Sequence, residues 1–539
     1  MKIIPSSRRN RYIAGVIILL VAIALIVWLA SWLSVPSSEI RDWFEIRDWY
    51  DLSAIGNNLC GSYILMNDLD STTAGYDELA SPTANGGKGW EPLGILGGTA
   101  SFTGTFDGRG YEIRDLFVNR PDQTRIGLFD IIDHGAVVEN LGVANVTVVG
   151  DRLVGGLVAL NKGTISNSYS TGSVTGNDEV GGLVGDHSWG ALHNCYSIAS
   201  VTGGNEVGGL LGRNDATTVN DSYLEGTVSS SYSKGNVTGQ SSVGGLVGAI
   251  DHSIIVEDAY SGGSVTGNNN VVGLVASDEF SIVSNSYSTA SVTGSWKVGG
   301  LVGHNHGGTV GNSYSIGNVT GDEYVGGLVG WNEYGTVSNS FWDIETSGQA
   351  TSDGGTGKTT AEMQYFATFI DTETEGLDEP WDLTTVSGPD RRNPSHIWNI
   401  VYRGTYPFLS WHFCFPHVRI SPILIETMTT PSGYLDLTVS PAKVCANIGE
   451  QIEIRCTIQP MVFTPIEISS VDVLLFDSYD SMVRERAMTM DSAWSAHTVY
   501  KIVGDEAYYK LKVSFTTGYA KPEEHSEYGA HSFPIVVSP

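Results

Sequence analysis

Acidic side chains are the first candidates for chemistry in this 539-residue chain, which carries 59 Asp and Glu against 29 Lys and Arg, a net charge of −30. Asp107, Asp130, Asp133, Asp178, Glu179, Asp215, Asp322 and Glu323 are the carboxylates that a paired acid and base, or a calcium-assisted lyase, would draw on. Asp178-Glu179 and Asp322-Glu323 both stand just before a Val-Gly-Gly phrase. Recurrence at one place in a repeat fits a solvated corner, whereas an active site occurs once. The twelve histidines form no His-Glu-x-x-His, which excludes a zinc-peptidase site of that type. Gly354-Gly-Thr-Gly-Lys-Thr359 imitates a phosphate loop, but the pattern needs glycine at position 352, where serine stands. The five cysteines make no Cys-x-x-Cys; Cys445 and Cys456 are expected to bridge only if their strands are adjacent. No catalytic residue, metal site or cofactor is therefore expected. The acidity argues against a nucleic-acid partner, since phosphate binding is driven by Lys and Arg.

The elements that would position any site come from a repeat. Val298-Gly-Gly-Leu-Val-Gly303 has near-copies through the middle of the chain, marked by Gly156, Gly182, Gly209, Gly245, Gly273, Gly300 and Gly327, with a weaker copy at Gly127. The intervals from Gly127 onward are 29, 26, 27, 36, 28, 27 and 27 residues. A fixed period in this range signals stacked repeats. Each period offers three short strands, Val-Gly-Gly-Leu-Val, Gly-Thr-Ile-Ser-Asn-Ser-Tyr-Ser and Gly-Ser-Val-Thr, bounded by Gly, Asn or Asp, which accept the left-handed conformations that corners require. The fold class expected is all-β, a parallel β-helix, with clear repeats over 125–345 inside a solenoid of 61–350. Cys195 fills the serine slot of one repeat, where a small, partly buried residue is expected. The 36-residue interval carries two tyrosine phrases, Asp221-Ser-Tyr and Ser230-Ser-Tyr, and should bulge or extend one coil.

A second phrase, seen at Asn167–Gly176, Asn285–Gly294 and Asn312–Gly321, lines up Tyr169, Tyr196, Tyr232, Tyr260, Tyr287 and Tyr314 as a column of candidate ligand contacts. Strict alternation would put Ile165 and Tyr169 on one side of the strand. A corner at the intervening Asn would turn the tyrosine outward. The column follows in either case.

The ends differ from the middle. Residues 1–11 are basic and precede an apolar run over 12–34, long enough for a transmembrane anchor with the bulk of the chain outside the cell. A cleaved signal peptide is the competing reading. Residues 38–60 have a partly helical apolar period and are expected to form an amphipathic cap helix. Residues 351–414 should close the other end, with a capping box at Thr359 and Glu362 opening a helix through about Phe369, and Trp381, Trp398 and Tyr406–Trp411 completing the closure. Over 416–539 glycine thins out and six or seven alternating segments appear, which predicts a β-sandwich of immunoglobulin-like shape.

The recurring Gly-Leu-Val-Gly phrase resembles the GLUG-repeat family of surface proteins. Tyr63–Asp70, Phe106–Ile113 and Ser340–Gly348 are similar to segments that flank such repeats. The resemblance spans roughly residues 45–411. It implies an extracellular right-handed β-solenoid with a role in adhesion, and it brings no catalytic set. Val272 and Ala276 replace glycines in one copy, and Leu211 replaces a valine in another. The resulting expectation is a membrane-anchored surface protein acting in adhesion or envelope interaction. Its partners would be surface glycans or other envelope proteins. A polysaccharide-active β-helix enzyme and a purely structural spacer are the alternatives.

Overall fold

Val-Gly-Gly-Leu-Val does not run straight. In the computed structural model the chain bends at the glycine pair, so that Trp296–Gly299 belongs to one sheet and Val302–His306 to the next. The structure describes residues 43–411, apart from breaks at 95–100, 189, 216–217, 220–221, 224–225, 252–253 and 389–391; beyond 417 it describes strand backbones alone.

Five short strands make up one coil where three are expected. The coil that ends on Glu333 contains Thr309–Gly311, Tyr314–Ser315, Val319–Thr320, Glu323–Gly326 and Val329–Glu333. Each strand pairs in parallel with its equivalents in neighbouring coils, building sheets of 11, 16, 7 and 8 strands among the described residues. The eight-stranded sheet takes one strand from each coil and so counts eight coils. Register is strict: Val158, Val184, Leu211, Val247, Val275, Val302 and Val329 stand opposite one another in succession. These residues and the motif leucines Leu157, Leu183, Leu210, Leu246, Leu274, Leu301 and Leu328 are completely buried. Burial of apolar ladders at about 25 cal/mol per Å² is the main stabilising term of such a coil.

The marker glycines are required by close approach. A Cβ on Gly300 would overlap the carbonyl oxygen of Gly327 on the next coil and Oγ of Ser315. The same overlap holds at Gly182 with Gly209 and Ser197, and at Gly209 with Gly245 and Ser233. Inside the coil a serine ladder ties neighbours together. Ser313 Oγ donates to the Gly311 carbonyl at 2.7 Å and accepts from the Ser286 N–H at 3.1 Å. Ser286 repeats the arrangement with Ser284 and Ala259. Cys195 occupies the same slot, fully buried, with Sγ 3.3 Å from the His193 carbonyl.

The 36-residue interval expels its extra chain. Thr218–Val219 and Ser222–Tyr223 form an antiparallel hairpin, after which Thr227 pairs with Ala191 as if nothing intervened. The bulge expected in this coil takes the form of a hairpin.

Both ends of the solenoid depart from expectation in detail. Of the segment 38–60, expected as one helix, the described part from Trp43 onward is a strand, Trp43–Ile46, followed by a six-residue helix, Trp49–Ala54, and a 3-10 turn, Ile55–Asn57. The Ile46 carbonyl accepts from the Met66 N–H at 2.9 Å, which holds the chain extended there. The Asp48 side chain then caps the helix, whose Trp49 and Leu52 are buried, as is Ile55 of the following turn. At the other end the capping box of Thr359 and Glu362 forms, but the helix covers only Thr360–Met363 before a 3-10 turn, Phe366–Phe369. The segment that imitates a phosphate loop is a strand, Thr356–Lys358, paired with Phe341–Asp343.

The apolar run 12–34 lies outside the described residues, among which no helix is long and apolar enough to cross a membrane. Beyond 417 the strands form a five-stranded and a six-stranded sheet, mostly antiparallel. Val444–Ala446 and Gln451–Pro460 fall in different sheets, so the strands carrying Cys445 and Cys456 are not paired neighbours.

Candidate functional site

The tyrosine column exists, and it points out of the coil. Asn167, Asn194, Ser230, Asp258, Asn285, Asn312 and Asn339 all have φ between 47 and 53°. That left-handed residue breaks the alternation, so Ile165 enters the core while Tyr169 turns outward and Ser170 inward. Asn and Asp adopt this conformation more readily than other non-glycine residues. The side chains add a ladder of their own. Asn167 Nδ2 donates to Asn140 Oδ1 at 3.0 Å, and Asn194 Nδ2 donates to Asn167 Oδ1 at 2.6 Å.

From Tyr169 to Tyr314 the six rings stack face to face, with centroids 4.7, 4.8, 4.7, 4.9 and 5.1 Å apart and tilts of 3–6°. This spacing equals the distance between strands in a sheet, so the coil sets the stack. Self-stacking leaves edges, not faces, for a ligand. The far half of the column is covered as well. Trp398 approaches Tyr287 and Tyr314 at 6.0 and 5.8 Å, and Trp411 lies against Tyr260 and Tyr232. The Tyr314 hydroxyl donates to the Pro407 carbonyl at 2.5 Å. The segment expected to close the end of the solenoid therefore runs back along its flank. At the near end the Tyr169 hydroxyl donates to Glu112.

Burial raises the phenol pKa of Tyr196, Tyr260, Tyr287 and Tyr314 far above the ordinary value, and pushes Tyr232 up to about 12. These hydroxyls stay protonated and supply no general base. Lys234 Nζ stands 5.4 Å from both the Tyr232 and the Tyr260 ring, a cation–π contact at the rim of the column.

The sequence-predicted carboxylates are scattered rather than gathered: the Asp215 side chain lies outside the described residues, and Asp178 accepts from Asn205 Nδ2 at 2.7 Å. Asp107 accepts from the Arg109 N–H and Asn140, and Asp133 from Ser101 and the His134 N–H. Asp130 is buried with Arg125 Nε at 3.2 Å, and burial pushes it up to about 6. Asp322 and Glu323 are exposed, as a solvated corner requires. Glu179 is not: it is buried beneath Arg152 and Arg213, whose guanidiniums reach its Oε1 at 2.5 and 3.3 Å. Among the described residues no three His, Cys, Asp or Glu gather to hold a metal ion.

One group was missed by reading the repeat. Trp296, His304, His306, Tyr324 and Trp331 cluster on the last coils; Trp296 stands opposite Asn269 of the preceding coil, His304 opposite Ser277 and His306 opposite Glu279. The available signal was the departure itself, aromatic residues standing where earlier copies are polar.

The GLUG motif family matches residues 150–175 and 294–320. Halomucin of Haloquadratum walsbyi is 35% identical over 146 residues, covering 26% of this chain and 2% of halomucin. A Gly-rich membrane protein of Evansella cellulosilytica is 36% identical over 134 residues, 19% of this chain and 15% of that protein. The chain thus spans a small part of either relative's length. No solved structure matches it significantly. Both matches to the GLUG motif fall within the coiled, parallel β-solenoid part of the chain.

Proposed function

We propose that the chain is a surface protein, anchored through residues 12–34, that works in adhesion or envelope interaction by presenting a rigid β-solenoid. The observation that carries this reading is the coil itself: eight coils in strict register. The names of the two relatives, one a halomucin and one a Gly-rich membrane protein, favour the same location. A net charge of −30 suits a solvated exterior surface. Partners would be surface glycans or other envelope proteins, met at the corners between coils and at the part-exposed edge of Tyr196. Several weak contacts along one coil raise avidity through effective concentration. The strands beyond 417 are read as an immunoglobulin-like sandwich that extends this surface.

Protease treatment of intact cells producing the full chain should digest it without lysis. Purified full chain should then bind at least one component of a glycan or envelope-protein array. A chain protected in intact cells refutes the surface location. Absence of any binding refutes adhesion and leaves the structural spacer.

A further inference from the structure

Along the seven- and eight-stranded sheets the side chains around the bend change character from coil to coil. Early coils carry the Arg152, Glu179 and Arg213 ion network. Three coils later the positions opposite Asn269 and Ser277 are Trp296 and His304. Since Asn and Ser complete that corner in the preceding coil, the coil does not need aromatic side chains there.

The replacements form a built cluster. Lys297 is 5% exposed and is held with Nζ 3.5 Å from the Trp331 ring centre and 4.4 Å from that of Trp296. Trp331 stacks on His304 at 4.9 Å and 20°, and Tyr324 stacks on Trp331 at 5.4 Å and 23°. His306 continues the strip, 5.8 Å from His304, with Phe280 at 5.3 Å and Tyr334 at 6.2 Å. The outer rings are open to solvent: Tyr324 and Phe280 are 52% exposed and Tyr334 is 87% exposed. Carboxylates border them. Glu333 Oε2 is 3.3 Å from His304 Nε2, and Glu279 Oε1 is 3.5 Å from His306 Nδ1.

Exposed aromatic rings gathered over a locked base mark an interaction site. The chemistry narrows the ligand. Flat aromatic faces accept the C–H face of a pyranose, while carboxylate and imidazole edges accept from and donate to its hydroxyls. A lipid surface would call for aliphatic residues, and the neighbouring exposed aliphatic side chain is Ile282. Local charge, with Glu279, Glu323 and Glu333 against Lys297, disfavours a polyanion. We propose that Phe280, His304, His306, Tyr324, Glu333 and Tyr334 form a binding site for a neutral saccharide chain. The proposed surface role gives this site its biological sense, but the binding itself does not depend on it.

The test uses the purified full chain titrated with cellohexaose, maltohexaose and mannohexaose, followed by calorimetry and tryptophan fluorescence. One hexaose should bind with a dissociation constant of roughly 0.1–1 mM, weak as expected for an open site. The Tyr324→Ser/Tyr334→Ser double variant should lose at least about tenfold in affinity with an unchanged melting temperature. A Tyr365→Ser/Tyr402→Ser control, altering another exposed aromatic pair, should bind as the parent does. The inference is overturned if no hexaose binds, if both double variants bind equally, or if oligogalacturonate or phosphatidylcholine vesicles bind through Tyr324 and Tyr334 instead. A chain that binds sugar but stays protected in intact cells refutes the surface role and leaves the site standing.

Discussion

The indole of Trp411 lies 5.9 Å from the ring of Tyr260, centre to centre, and pins the end of the flank segment to the middle of the tyrosine column. Its Nε1–H has no hydrogen-bond partner among the described residues. Trp411→Phe should therefore cost under about 1 kcal/mol, while Trp411→Ala removes the ring contact and should cost roughly 1–2 kcal/mol for a half-buried indole. Hydrogen exchange at the Tyr232 and Tyr260 amides checks this: faster exchange in the alanine variant and not in the phenylalanine one is expected.

Gly300→Ala places a Cβ into the Gly327 carbonyl and Ser315 Oγ, backbone and buried side chain that have no room to retreat. A loss of roughly 3 kcal/mol is expected from such overpacking. Gly311→Ala is the control, because its nearest neighbour, Ser338 Oγ, is 3.9 Å away. Denaturant midpoints of the solenoid transition should fall for the first variant and stay level for the second.

His187 is fully buried, accepts from Asn161 Nδ2 at Nδ1 over 2.8 Å, and places Nε2 3.1 Å from the Gly190 carbonyl. Desolvation drives its pKa down from 6.5 to about 4. Between those values the unfolded chain takes up a proton that the folded chain refuses, so stability falls as pH drops through this window and is flat above it. The loss should be on the order of 3 kcal/mol. Asp130 and Asp258, which burial pushes from 3.8 up to about 6, act in the opposite sense, gaining stability as pH falls. His187→Asn, which copies Asn161 and Asn214 of the adjoining coils, removes only the histidine contribution. The difference between parent and variant melting temperatures should open below pH 6.5; parallel curves would refute the assignment.

The Asn167 corner separates conformation from hydrogen bonding. Its φ of 48° suits glycine, and its side chain bonds to Asn140 and Asn194. Asn167→Gly should lose only the bonds, about 1–2 kcal/mol, and Asn167→Ala should lose about 1 kcal/mol more through left-handed strain. Equal stabilities for the two variants would show that the ladder alone holds the corner.

What could be read in advance divides along physical lines. Gly156 to Gly327 and the tyrosine column were legible because stacking forces identical solutions on every coil, and repetition is visible in one dimension. The bend inside Val-Gly-Gly-Leu-Val was not, since a glycine pair permits both a straight and a folded strand. Glu179 was misread as solvated because its partners, Arg152 and Arg213, come from neighbouring coils and belong to no repeat. The flank position of Trp398 and Trp411 is a long-range docking with no periodic trace. The cluster around Trp331 was hidden for the converse reason, that attention to a period discards the residues which break it. Beyond 417 alternation suggests six or seven strands where eleven are described, and the assignment of Cys445 and Cys456 to different sheets depends on connections that alternation does not encode.

The hairpin between Asp215 and Thr227 shows what the coil tolerates. Its extra residues leave at a corner, and the next strand resumes register opposite Ala191. Each coil is closed by its neighbours above and below, so length added sideways does not perturb the stack. This corner is accordingly a natural grafting point, where an unrelated peptide or small domain can be carried without cost to the scaffold, and where a lineage can try new surface chemistry one loop at a time.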